Sequence, residues 1–318
     1  MTYTKRTPKI KKKAFFFTVI ALVVIGFFFL TYSLYASYRE VVRTSVIETR
    51  VFTMNNFVKN IDQDMARALY ISGFRSLLTL TDNVVSTGIY VQDLNGEFDS
   101  VIYNGTINST IQHLMVENTI SYWIQKIQEE SDKINLDTTI IISPVTITQT
   151  DPWTVKLSMD ANVSITDQDG VASWNITRQV EAEVPIEGFE DPFYAVQTEG
   201  KLSRAIRRSN TTIWDVNSLK FHLENQTYLD STEGPSFLLR LQGSTNSSPY
   251  GLETMVDTED LYDYGFELEN KSSVDYLYWG SGGVNHTYIH NITDRGYPYF
   301  RLDQTHRERF NVSWLAYT

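Results

Sequence analysis

The chain has no cysteine, so no disulfide framework holds it. Proline is absent between Pro8 and Pro144, and no acidic residue precedes Glu40. The first gap permits a very long helix, because nothing in it removes an amide donor or blocks the preceding turn. The second leaves the N-terminus with charge of one sign only. Mechanistic signatures are missing as well. Gly200-Lys201 is followed by Leu202 and builds no phosphate-binding loop, and there is neither an H-E-x-x-H pair nor a G-x-S-x-G elbow. The sequence therefore reads as a non-enzyme with no cofactor, since an acid, base or metal constellation is what a reaction would require.

What is present begins with Ala14 to Ala36, AFFFTVIALVVIGFFFLTYSLYA, a stretch without one charged residue. At a helical rise of 1.5 Å it is about 35 Å long, enough to cross a hydrocarbon core of about 30 Å. Lys5, Arg6, Lys9, Lys11, Lys12 and Lys13 precede it. The positive-inside bias places residues 1–13 in the cytoplasm and everything beyond about Tyr38 outside a cell membrane crossed once. The apolar run is too long for a cleavable secretory signal, whose core spans about 7 to 15 residues. Without the six leader cations the net charge of −11 becomes −17. An ectodomain that acidic excludes nucleic acid as a partner and leaves the lipid bilayer around the helix as the expected one.

Asparagine supplies a second topological signal. Asn-X-Ser/Thr acceptors occur at Asn104, Asn108, Asn162, Asn175, Asn210, Asn225, Asn246, Asn270, Asn285, Asn291 and Asn311. Chance would give roughly four in this composition. All lie beyond residue 88, on the side that the charge rule calls outside. The expectation is an N-glycosylated surface protein.

The fold class expected is α+β, with a transmembrane helix over 14–37 continuing into an amphipathic stalk helix over 38–88 and then a β-rich antiparallel ectodomain. In the stalk, Ile47, Val51, Met54, Val58, Ile61 and Met65 recur at spacings of four and three, the seam of a heptad repeat. The seam predicts self-association of stalks into a homo-oligomer, unless it packs on the chain's own head. Ser72 and Gly73 read as an interruption or kink. Beyond the stalk, Asp93 to Gly96 and Asn104-Gly105 read as loops, and residues 110–134 as a second amphipathic helix. TTIIISPVTITQT from Thr138, WTVKLSMDANVSIT from Trp153 and VASWNITRQVEAEV from Val171 read as antiparallel strands around an Asp167 to Gly170 turn. Phe193 to Val196 reads as a further strand. The domains expected are an α+β ectodomain over 89–200 and an aromatic-rich, β-containing lobe over 201–318.

Three local clusters carry weaker chemistry. Asp167, Asp169 and Gly170 resemble the start of a calcium loop, but the distal glutamate is missing and an Asp-Gly turn accounts for them. His286 and His290 lack an obvious third zinc ligand. Asp257, Glu259, Asp260 and Asp263 read as a solvated acidic face. No metal site is assigned.

The basic leader, Ala14, the Phe-rich helix, the stalk and the β-rich head together resemble an archaeal type IV pilin-like protein. The absence of cysteine and the acceptor load agree with an archaeal surface. DPW at Asp151 to Trp153, ASWN at Ala172 to Asn175, PIEGFEDP at Pro185 to Pro192 and SSVDYLYW at Ser272 to Trp279 are similar to uncharacterised membrane-anchored proteins of small-genome archaea. The resemblance implies processing at Lys13, Ala14 and Phe15, by a cut after Lys13 or after Ala14. It also implies a structural or assembly role in the envelope or a surface appendage. The fifth residue after such a cut is Thr18 or Val19, where filament-forming members carry glutamate. An anchored ligand-binding or adhesin head is the alternative, favoured by an exposed concave patch in the aromatic-rich lobe.

Overall fold

The computed structural model describes residues 12–281 and 286–317. Helix α1 runs without a break from Lys12 to Thr87, about 114 Å at the helical rise. It stops at Gly88, whose φ of 69° is left-handed and whose amide closes the last turn on the Val84 carbonyl at 2.9 Å. Gly73 does not interrupt it. A Cβ there would meet Leu157 Cδ1 at 2.0 Å, so the bare glycine is the socket for a leucine of the sheet behind it.

After α1 come α2 (Leu94–Asn104), a hairpin of β1 (Thr106–Ile107) and β2 (Thr110–Ile111), and α3 (Ile120–Lys133). The expected loop at Asp93 to Gly96 is in fact a helix start, because the Asp93 carboxylate caps the Gly96 amide. The helix expected over 110–134 is shortened to α3, whose beginning is fixed by Thr119 accepting from the Tyr122 amide at 3.1 Å. Residues before that cap make the hairpin and a short 3-10 turn.

The main sheet follows the alternation in the sequence. Strand β5 (Thr154–Asp167) is its spine, paired antiparallel along its whole length with β6 (Ser173–Pro185). On its other side β3 (Leu136–Ile142) covers the C-terminal half and β4 (Thr146–Asp151) the N-terminal half. The odd-numbered side chains of β5 from Val155 to Ile165 are buried, while its even-numbered ones reach the surface to differing degrees. The buried face meets Met54, Ile61, Met65, Leu69, Leu77, Leu80 and Val84 of α1 in one core. One face dry and one face wet is what that alternation dictates.

In the remainder, short strands alternate with short helices. Phe193 to Val196 lies in helix α4 (Pro192–Gln197), because Asp191 caps it and Pro192 occupies its first turn. Then follow α5 (Val216–Asn225), β7 (Tyr228–Asp230), α6 (Phe237–Leu241), β8 (Leu252–Thr254), α7 (Thr258–Asp263) and α8 (Asp275–Tyr278). Last come β9 (His286–Ile289), β10 (Arg301–Asp303), α9 (Gln304–Arg309) and β11 (Ala316–Tyr317). Strands β7 and β8 pair, and β9 lies between β10 and β11, all antiparallel. These strands are two to four residues long, too short to show a period of two in the sequence.

This lobe joins the C-terminal part of α1 and the segment after it. Phe74, Phe189 and Phe237 stack edge to face at 5.2 and 5.8 Å. The Val91 amide donates to the Leu241 carbonyl at 3.0 Å. Gly243, at φ 68°, lies against the Tyr90 ring where a Cβ would come within 2.4 Å. The base of the head is fastened at the other end, where Arg50 reaches Asp167 at 3.0 Å, Asp169 at 3.4 Å and the Ile134 carbonyl at 3.1 Å. The lobe is thus at the end of the head remote from residues 15–49.

Candidate functional site

Two features of the chain stand out: the exposed first part and buried second part of α1, and the open cleft of the distal lobe. Along α1 the large apolar side chains from Phe15 to Val46 are exposed; Phe17 and Phe28 are both 70% accessible. The most apolar window of the helix has no buried residue at all. From Met54 onward the same helix supplies core residues. Within the seam, Met54, Ile61 and Met65 are buried in the head, Val58 packs partly on it, Val51 is half-buried, and Ile47 is 37% exposed. The heptad spacing from residue 54 onward is therefore explained by the chain's own sheet.

Of the processing residues, Lys13 and Ala14 lie within α1 and Phe15 is exposed on it; residues 1–11 lie outside the described residues. Asn104, Asn108, Asn162, Asn175, Asn210, Asn225, Asn246, Asn270 and Asn311 are all exposed, and Asn291 is half-buried. Asn285, with Gly282 and Gly283, lies outside the described residues. Asn162 and Asn175 stand on the wet face of the main sheet.

The weaker clusters resolve into structural roles. Asp167 is buried 3.0 Å from Arg50, and the largely exposed Asp169 lies 3.4 Å from the same guanidinium. His286 approaches Asn270 at 2.9 Å, whereas His290 stacks on Tyr317 at a centroid distance of 3.9 Å. Asp257 caps α7 by accepting from the Glu259 and Asp260 amides. Among the described residues no three His, Asp or Glu side chains are gathered as a metal site.

Sequence reasoning missed the buried charge of the distal lobe. Arg240 is fully enclosed and lies 2.7 Å from Asp191 Oδ2 and 2.6 Å from Asp275 Oδ2, while its Nη2 donates to the Leu252 carbonyl. Tyr228 donates to the same Asp191 oxygen at 2.7 Å. Arg204, also buried, donates to the Met255 carbonyl at 2.6 Å and lies over the Tyr194 ring. Burial pushes the Asp275 carboxyl up against the pull of Arg240. Two guanidiniums and two carboxylates here balance in charge, the condition for holding ions out of water.

A second network lies beside the first. His306 places Nδ1 2.7 Å from Asp303 and Nε2 3.2 Å from Glu253, and Arg309 binds the other Glu253 oxygen at 2.6 Å. Ser272 donates to Asp303 at 2.8 Å. Burial alone would lower the imidazole, but its two carboxylate partners raise it to about 10. Asp303, raised by burial and lowered more by His306, falls to about 2. A serine, an aspartate and a histidine in contact invite a hydrolase reading. The geometry refuses it, because both imidazole nitrogens face carboxylates and none is left to activate a hydroxyl. The legible signal was Arg240 in the apolar run FLLRL and Glu253 between Leu252 and Met255, charges that burial obliges to pair.

The open cleft of the lobe has a volume of about 660 Å³ and is lined by Tyr262, Tyr299, Asn270, Glu267 and Arg301 among others. Tyr262 and Tyr299 face each other at 5.4 Å with 35° between their planes, and are 55% and 38% exposed. Arg301 lies over the Tyr288 ring at 4.1 Å and donates to its hydroxyl. The lining thus brings aromatic rings together with a guanidinium and carboxylates. No protein-family model, no curated protein and no solved structure matches the chain.

Proposed function

We propose that this chain is a single-pass, membrane-anchored surface protein with a cytoplasmic N-terminus and an extracellular, N-glycosylated head. Its role is structural or one of assembly in the cell envelope or a surface appendage, as in the pilin-like proteins it resembles. The observation that carries this reading is the division of α1: apolar and bare over its first part, built into the head over its second. In water so many exposed phenylalanines would be strongly unfavourable, at about 25 cal/mol per Å² of apolar surface; in a bilayer they are solvated. Exposure of the acceptors at Asn104, Asn162 and Asn175, among others, agrees with glycans on the head.

Lateral self-association belongs to this proposal, with its seat moved to the stretch between bilayer and head, where Val42, Val46 and Ile47 are exposed. Protease treatment of intact cells tests the topology. A C-terminal epitope should be lost while an N-terminal tag survives, and the reverse pattern refutes the proposal.

A ligand-binding head is the second reading, and the tyrosine-lined cleft of the distal lobe favours it. Fragment or glycan binding that disappears in Tyr262→Ala is the corresponding test.

A further inference from the structure

We propose that Asn270 carries an N-linked glycan whose first sugars lie in the distal cleft, against the faces of Tyr262 and Tyr299. The inference rests on the glycosylated-surface reading above and deepens it, because it gives the cleft an occupant supplied by the chain itself.

Two independent observations meet at this place. The first is the acceptor: Asn270 is exposed, lines the cleft, and holds its Oδ1 2.9 Å from His286 Nε2. The acceptor side chain is thus part of the cleft wall, so that a sugar attached to it starts within the cleft. The second is the pair of tyrosine rings, which lie against each other at 5.4 Å, stay 55% and 38% exposed, and line the cleft together. A pyranose has an apolar face of C–H groups and a rim of hydroxyls. The face covers an aromatic ring, and the rim finds acceptors in Glu267 and Glu269 and a donor in Arg301, both kinds present on the same walls or beside them.

Three of the other acceptors, Asn162, Asn175 and Asn210, lack this combination. Asn162 and Asn175 stand on a sheet face beside Ser164 and Thr177, with no ring as register partner. Asn210 lines a cleft of about 490 Å³ with Trp153 and Trp214, but those indoles are already covered by Arg208 at 5.3 Å and Arg309 at 4.3 Å.

The modification is a group transfer from a sugar carried on a polyprenyl phosphate or diphosphate. Asn270 Nδ2 attacks the anomeric carbon, the C–N bond forms, and the anomeric C–O bond breaks. The lipid phosphate leaves with the electron pair, and the amide proton passes to a base of the transferase. Ser272, the third residue of the acceptor triplet, is buried with its hydroxyl donated to Asp303. Transfer therefore precedes closure of this part of the lobe, since the transferase must reach Ser272.

The test uses the full-length glycoprotein from a glycosylating host, with glycopeptide mass spectrometry at every acceptor and a time course of mild periodate oxidation of the sugars. Asn270 should be occupied, and its glycan oxidised roughly fivefold more slowly than that on Asn104, the protection one aromatic contact of ordinary strength provides. Tyr262→Ala with Tyr299→Ala should abolish the protection without changing occupancy, while the pair of Phe variants, which keep the ring faces, should retain it. Glycans elsewhere with Asn270 bare overturn the inference and leave the glycosylated-surface reading standing. Equal oxidation rates at Asn270 and Asn104 also overturn it. No glycan at any acceptor overturns both.

Discussion

The two halves of the head are stabilised by different means. Where α1 meets the main sheet, the interface is apolar and interlocked, with Leu157 seated on Gly73 and the buried polar groups of the helix limited to Ser72, Ser76, Thr79 and Thr81. In the distal lobe, short helices and strands surround buried Asp191, Arg204, Arg240, Glu253, Asp275, Asp303 and His306. A long helix on a long sheet offers continuous apolar surface, and hydrophobic burial suffices. A lobe of two- to ten-residue elements has many helix ends and few apolar faces, so it orients its pieces with hydrogen-bonded ions. The difference teaches that the first half should be indifferent to pH and sensitive to side-chain volume, and the second the reverse.

The largest effect is expected from Arg240→Ala, which leaves Asp191 and Asp275 buried without their shared cation. Breaking such a pair costs about 3 to 5 kcal/mol, so the distal lobe should lose its protection in hydrogen exchange while β5 and β6 keep theirs. Leu157→Ala acts on the other half. A truncation in a close-packed interface costs about 2 to 5 kcal/mol, here at the centre of the helix–sheet contact, and should lower the thermal midpoint of the sheet without releasing the lobe's ion network.

Next in size is the response to pH, which should sharpen the contrast. His306 is raised in the fold from its ordinary 6.5 to about 10, so its contribution is fully present below about 6.5 and is lost as pH rises toward 10. Asp303 is lowered from 3.8 to about 2, so its contribution is present above about 3.8 and is lost as pH falls toward 2. Thermal unfolding followed from pH 2 to 10 should show the lobe weakening at both ends. In His306→Gln the alkaline loss should disappear. The smallest effect is expected at Val46→Glu, an exposed site where head stability should change by no more than about 0.5 kcal/mol; loss of crosslinked oligomers in that variant would locate self-association on the bare stretch.

How much of this was legible in the sequence follows the same division. The long helix could be read from the proline gap and the apolar run, and β5 and β6 from their alternation, because each repeats one local rule over more than ten residues. The seam of α1 was legible as a seam, but its partner was not, since a heptad spacing looks alike whether it meets another chain or the chain's own sheet. Gly73 misled for a related reason: a glycine in a helix marks either a break or a close approach, and only Leu157, 84 positions away, decides which. The distal lobe was mostly illegible. Its strands are too short to alternate, and Glu253 finds His306 and Arg309 across more than 50 residues. The tyrosine-lined cleft was legible only as a local excess of aromatic residues, with no sign of which rings would remain exposed.

The central claim is that one continuous helix stands in two environments, a bilayer and the core of an extracellular head. The absence of cysteine allows a direct test, labelling of single-cysteine variants on intact cells with a membrane-impermeant maleimide. Val46→Cys and Phe52→Cys, both at exposed positions beyond the apolar run, should be labelled without lysis, and Phe28→Cys should resist labelling even in opened cells until detergent is added. Labelling of residue 28 from water, or of residues 46 and 52 only after lysis, would contradict the account.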